Sequence, residues 1–141
     1  MMELERKFEI ENENGSQVTE LRLRYKTNCM LNHYSAYMFS GPQIIQYSID
    51  AMTDLTVRRD NGDGSMLANV NVNLRAPLYG GDTIEVLVYL EKEGKRSRTY
   101  GTQIWKIIHN RREDDVFDVL EEPILIMDGS LTCVVKKQRV D

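Results

Sequence analysis

The run from His33 to Asp82, HYSAYMFSGPQIIQYSIDAMTDLTVRRDNGDGSMLANVNVNLRAPLYGGD, decides how this 141-residue chain is read. Ser40-Gly41-Pro42-Gln43 has the S-x-x-Q spacing of a capping box, in which the serine hydroxyl accepts an orphan backbone N–H and the glutamine side chain reaches back. A helix therefore starts here. At about 100° per residue, Ile44, Ile45, Ser48, Ile49, Ala51, Met52 and Leu55 form one broad apolar stripe. Gln43, Gln46, Asp50, Thr53 and Asp54 fall opposite, so one face is core and the other is left for chemistry or solvent.

The second half of the run changes period. Ala68, Val70, Val72 and Leu74 alternate with Asn69, Asn71, Asn73 and Arg75, the pattern of a half-buried strand. Ala76-Pro77-Leu78-Tyr79-Gly80-Gly81-Asp82 breaks the ladder, since proline lacks a donor and glycine permits positive φ. Ile84, Val86, Val88 and Leu90 then alternate with Glu85, Leu87, Tyr89 and Glu91, and a further strand is expected over roughly Ser97 to His109. Two long strands joined by so short a break predict an antiparallel meander.

Working outward, Lys7 to Lys26 reads as two strands around an Asn14-Gly15 turn, with Leu21, Leu23 and Tyr25 facing one way and Arg22, Arg24 and Lys26 the other. Asn110 to Glu122 is expected to be a charged loop with a short helical turn before Pro123, and a last strand or bent pair runs from Ile124 to Lys136. The length suits one domain over residues 1–141, with residues 1–20 as an N-terminal hairpin extension. One helix among antiparallel strands makes the fold class α+β.

A net charge of −4 argues against a nucleic-acid partner, because non-specific phosphate binding needs a lysine and arginine excess. No apolar run approaches the ~20 residues that span a bilayer, and the acidic start lacks signal-peptide character, so no membrane association and a cytoplasmic location are expected. Cys29 and Cys133 have no further cysteine or histidine at ligand spacing and read as buried thiols. Asp60-Asn61-Gly62-Asp63-Gly64 lacks the later ligands of a calcium loop and reads as a turn; no metal site is expected.

Five pieces come in a familiar order: Asn32-His33-Tyr34; Asp50-Ala51-Met52-Thr53-Asp54; Arg58 to Gly64; Asn71 to Glu85; and Gly129-Ser130-Leu131-Thr132-Cys133-Val134-Val135. Together they resemble the hotdog-fold ammonia-lyases that act on 3-aminobutyryl-CoA or β-alanyl-CoA in bacterial amino-acid fermentation, including lysine degradation. The likeness covers roughly His33 to Arg139. It implies one long central helix wrapped by a curved antiparallel sheet, an active site at a dimer interface and a homo-oligomer built from dimers, with pairing to a paralogous subunit as a variant. It implies a coenzyme A thioester as substrate and no separate cofactor. The family pattern places an aspartate where this chain has Ser40, and a glutamate where it has Asp54. The shorter arm of Asp54 withdraws its carboxylate by about one bond length, a misplacement of the kind that costs ~100-fold in rate.

Ammonia elimination from a 3-aminoacyl thioester needs a base for the proton beside the carbonyl and donors for the enolate oxygen. Asp54 is the candidate base, with Asp50 one turn before it; an acidic pair at this spacing otherwise reads as a solvated face. Ser40 and the Gly41 amide are candidate substrate contacts at the positive end of the helix dipole, where the alternative is a simple helix start. His33 and Tyr34 could reach the same place or merely pack a turn, and Arg96 and Arg98 could hold the coenzyme A phosphates or be solvated charges. Ser40 and Asp54 stand roughly 21 Å apart along the helix, so both serve one site only if two subunits contribute. The same parts suit a thioesterase or a catalytically silent partner subunit.

Overall fold

Capping chemistry starts the helix where the sequence marks it. The structure is a computed structural model that describes residues 5–7, 18–27, 37–111, 114 and 116–136. In chain order the elements are β1 (Glu5–Lys7), β2 (Glu20–Lys26), α1 (Gly41–Arg59), β3 (Met66–Leu74), β4 (Thr83–Glu93), β5 (Ser97–Asn110) and β6 (Phe117–Val134). Ser40 is the N-cap of α1 and both halves of the capping box with Gln43 are formed. The strands make one six-stranded antiparallel sheet in the order β1-β2-β4-β5-β6-β3. No helix among the described residues is long and apolar enough to cross a membrane.

α1 lies against β4 and also meets β2, β5 and β6. Ile44, Ala51, Met52 and Leu55 are buried against Leu21, Leu23, Ile84, Val86, Val88, Ile104, Ile126 and Leu131, with Ile45 and Ile49 packed at the margin. The expected alternation holds in β2 and β4. Leu21 and Leu23 point into the core, while Arg22 and Arg24 point away and grip Glu85 of β4 at 2.9 and 3.3 Å.

Three expectations are corrected. β3 is exposed along nearly its whole length rather than half-buried, because among the described residues it is the edge of the sheet, paired only with β6 and outside the strands that α1 covers. β3 and β4 are also not neighbours: the segment between them is a crossover, and the meander is β4-β5-β6. Finally, the stretch before Pro123 is strand rather than loop. Lys106 pairs with Ile124 but Ile108 with Val119, so β6 bulges between these pairs, and Pro123, which has no donor to offer a ladder, sits in that bulge. The Asn14-Gly15 turn and Cys29 lie outside the described residues, whereas β1 does pair antiparallel with β2. Gly129 allows β3 and β6 to approach closely at φ 147°, where any Cβ would collide with the Asn71 carbonyl oxygen.

Two polar seams cross the helix–sheet interface. The Ser48 hydroxyl meets that of Thr102 at 2.7 Å, and Thr56 meets the Tyr100 hydroxyl at 2.8 Å. Burial pushes the Tyr100 phenol up to about 12, with the Thr56 hydrogen bond pulling the other way. An acid with a raised folded pKa stabilises the fold fully below its unfolded value near 10, and that contribution is lost as pH climbs through the folded value. Urea melts between about pH 10 and 12 should show stability falling by up to about 3 kcal/mol. Tyr100→Phe should flatten that decline.

Candidate active site

The start of α1 is built by a loop rather than by a strand. Residues 76–81 are tied to the residues before the helix by two backbone hydrogen bonds, from the Phe39 amide to the Leu78 carbonyl at 2.8 Å and from the Gly80 amide to the Tyr37 carbonyl at 3.0 Å, which together make an antiparallel bridge between Met38 and Tyr79. Gly41 thus emerges from a fixed platform. A Cβ on Gly41 would lie 3.0 Å from the Leu74 side-chain methyl, so this first turn abuts the end of the exposed edge strand β3. The first turn carries no acidic residue, which leaves the positive end of the helix dipole uncompensated by a carboxylate.

Ser40 is occupied in capping. Its backbone N–H donates to Gln43 Oε1 at 2.9 Å, its Oγ contacts the same oxygen at 3.1 Å, and the Gln43 amide donates to Oγ at 3.4 Å. Pro42 has no N–H and the Gln43 amide is engaged by Ser40, so the Gly41 amide is the candidate donor of this first turn.

The polar face of α1 carries both acidic candidates, but they do not confront each other. Asp50 accepts from Gln46 Nε2 at 2.7 Å, and Asp54 accepts from Arg58 Nε at 2.8 Å. Asp54 is partly exposed and held by a cation one turn on, an arrangement that fixes the direction of its carboxylate. His33 and Tyr34 lie outside the described residues. Arg96 is exposed at the turn between β4 and β5.

Arg98 is a correction. Its side chain is 1% exposed and Asp60's is 0% exposed. Its Nε and NH2 donate to the Asp60 carboxylate at 3.2 and 2.7 Å, and its remaining NH1 donates to the Gly94 and Ser97 carbonyls at 2.8 and 2.9 Å. Burial pulls the guanidinium's pKa down, but the Asp60 hydrogen bond and charge outweigh it, and the pKa is raised. The physical need is local: Asp60 is the C-cap, at the negative end of the helix dipole, where a buried carboxylate is tolerated only beside a cation. Arg59, also buried, adds a contact to the Val18 carbonyl at 2.8 Å and to Glu93 at 3.1 Å. Arg98 therefore pins the far end of α1 and does not reach outward to a phosphate. The strand pattern carries this signal, since Arg98 shares the inward phase of Tyr100, Thr102 and Ile104. The same phase places Lys106 inward, beside Asp82, although its type and spacing match no catalytic motif.

No protein-family model matches the chain. Among characterised proteins it is 34% identical to the 3-aminobutyryl-CoA ammonia lyase of Acetoanaerobium sticklandii over 109 residues, 76% of this chain and 86% of that enzyme. Its backbone matches the β-alanyl-CoA:ammonia lyase of Clostridium propionicum with a TM-score of 0.77 at 25% identity, over 85% of this chain and 88% of that one. A hypothetical thioesterase from Streptococcus pneumoniae, solved with coenzyme A, shares the fold with a TM-score of 0.66 at 14% identity, over 95% of this chain and 89% of that one.

Loss of the buried cation should expose what Arg98 does. Arg98→Met would leave Asp60 charged and alone in the interior, and chemical denaturation should register a loss of about 3–5 kcal/mol. Asp60→Asn in the same background should restore part of it.

A single helix laid on this antiparallel sheet is the hotdog fold, and at this identity and coverage the chain belongs to the 3-aminobutyryl-CoA ammonia lyase family.

Proposed function

We propose that this protein is a carbon–nitrogen lyase that eliminates ammonia from a short 3-aminoacyl-CoA to give the 2-enoyl-CoA. The observation that carries the reading is the 34% identity sustained over 86% of a 3-aminobutyryl-CoA ammonia lyase. In the step, the Asp54 carboxylate takes a proton from the carbon beside the thioester carbonyl. The electron pair moves onto the carbonyl oxygen, which the Gly41 amide stabilises at the positive end of α1. Collapse of the enolate forms the new C=C bond and breaks the C–N bond of the substrate's ammonium group, which leaves as ammonia, and the proton held by Asp54 passes to solvent. Nothing beyond the coenzyme A of the substrate is needed as cofactor, and Arg96 remains the candidate contact for its phosphates. The name of the 3-aminobutyryl-CoA relative supports a place in amino-acid fermentation of the kind that degrades lysine, and the proposal includes a cytoplasmic location.

The separation of Gly41 from Asp54 along one rigid helix calls for two subunits. β3 supports that requirement: Met66, Leu67, Val70 and Leu74 are exposed large apolar side chains on a strand that, among the described residues, is an edge paired only with β6 on its other side. Leu74 also abuts Gly41, so a second copy added to this edge stands next to the first turn of α1. Light scattering at micromolar concentration should return a multiple of 16.4 kDa, built from dimers, and a mass equal to 16.4 kDa itself would remove the composite site.

A second reading is a silent partner subunit, favoured by the use of Ser40 in the capping box where the family pattern has an acidic side chain. Incubation with β-alanyl-CoA separates the readings. Acrylyl-CoA and ammonia mark a lyase, free thiol marks a thioesterase, and neither marks a partner. With the lyase product as readout, Asp54→Asn should lower kcat by ~100-fold or more while thioester affinity stays nearly constant, because the amide still accepts from Arg58 but cannot take a proton.

A further inference from the structure

Asp82 is a fully buried carboxylate at the start of β4, and it is used from both sides. Its Oδ2 accepts from the Tyr79 amide at 3.1 Å, and its Oδ1 accepts from the Asn110 amide at 2.9 Å. The Lys106 ammonium, itself 7% exposed, lies 3.1 Å from Oδ2. His109 Nδ1 stands 3.6 Å from Oδ1. Thr27 completes the clasp, its single Oγ1 hydroxyl proton donated to the Asp82 carbonyl at 2.7 Å with the Tyr79 carbonyl 3.2 Å away.

The chemistry of the clasp is selective for aspartate. Two backbone N–H groups approach two different oxygens, so the side chain must be an acceptor at both atoms. An asparagine presents one acceptor and one donor, and cannot satisfy Tyr79 and Asn110 together. A buried carboxylate in turn needs a cation, which Lys106 provides. What the clasp holds is the loop of residues 76–81, the platform to which Tyr37, Met38 and Phe39 are bonded immediately before Gly41. The path from the Asp82 carboxylate to the first turn of α1 is therefore short: Tyr79, its bridge to Met38, then Ser40 and Gly41.

We propose that Asp82 and Lys106 are a positioning pair that sets where the first turn of α1 stands, and with it the amide of Gly41. The role rests on the reading that this turn receives the thioester carbonyl. The pair does not touch the substrate; it holds the donor in place.

The test uses the full-length protein carrying Asp82→Asn together with Lys106→Met, so that no lone charge is buried, and Lys106→Arg as the conservative variant. Folding is checked by circular dichroism. Amide exchange across residues 37–44 should quicken at least ~10-fold in the double variant while residues 100–104 in β5 stay protected, and Lys106→Arg should retain most of the parental protection. Turnover of β-alanyl-CoA by the double variant should fall ~100-fold, mostly in kcat, as expected for a displaced donor. Unchanged exchange across residues 37–44 in the folded double variant overturns the proposal, and so does an equal rise in β5, which would mark general loosening. If the parent turns over no 3-aminoacyl-CoA, the lyase reading falls, whereas the exchange comparison still decides whether the pair positions the helix.

Discussion

Burial of one face of α1 against β4 is the constraint from which the other features follow. A helix of 19 residues is a rod of roughly 28 Å, and its middle is held by apolar contact through Ala51, Met52 and Leu55. Apolar packing resists separation but says little about sliding or rotation. The ends supply that definition by two different devices. At the C-terminus a buried ion pair joins Asp60 to Arg98 of β5, and at the N-terminus a backbone-bonded loop joins Phe39 to Leu78. The helix is thereby fixed in register on the sheet, with its polar face and its two termini presented at defined places.

That rigidity is why the proposed base and donor, if both serve one site, call for two copies of the chain. A base on the last turns and a donor on the first turn of one rod cannot converge, however the side chains rotate. Chemistry that needs both must borrow one of them across an interface, and the edge strand β3 lies beside the donor end. The polar face of the helix is correspondingly ordered by short-range contacts, Gln46 to Asp50 and Arg58 to Asp54, which hold each carboxylate separately rather than setting the two against each other.

What the sequence made legible was local. The Ser40–Gln43 box, the apolar stripe of α1 and the alternation of β2 and β4 depend on neighbours within a few residues, and each is found where the pattern puts it. Sheet order is not local: β3 pairs with β6, some sixty residues away, and nothing in its alternating asparagines tells an edge from a half-buried interior strand. Pro123 misled because proline opposes a ladder, yet a bulge removes the need for its donor. Of the candidate site, helix phase and the family resemblance supplied Gly41 and Asp54 as proposals, and the structure adds only their places at the first turn and on the polar face of α1. Arg98 was misjudged because a charge near a turn resembles a solvated one, although its phase in β5 points inward. Asp82 was visible only as part of a turn motif, since its partners Asn110 and Lys106 arrive through tertiary pairing.

The interrupted stretch of β6 has a consequence for how far association can propagate. Beyond Leu74 the outer rim of β6 is no longer covered by β3, and there Glu121, Glu122 and Pro123 stand exposed at the bulge. Charge and a missing donor make this segment a poor template for another strand. The same sheet rim thus changes character along its length, from the exposed apolar side chains of β3 to a charged, proline-bearing stretch of β6 that discourages strand addition.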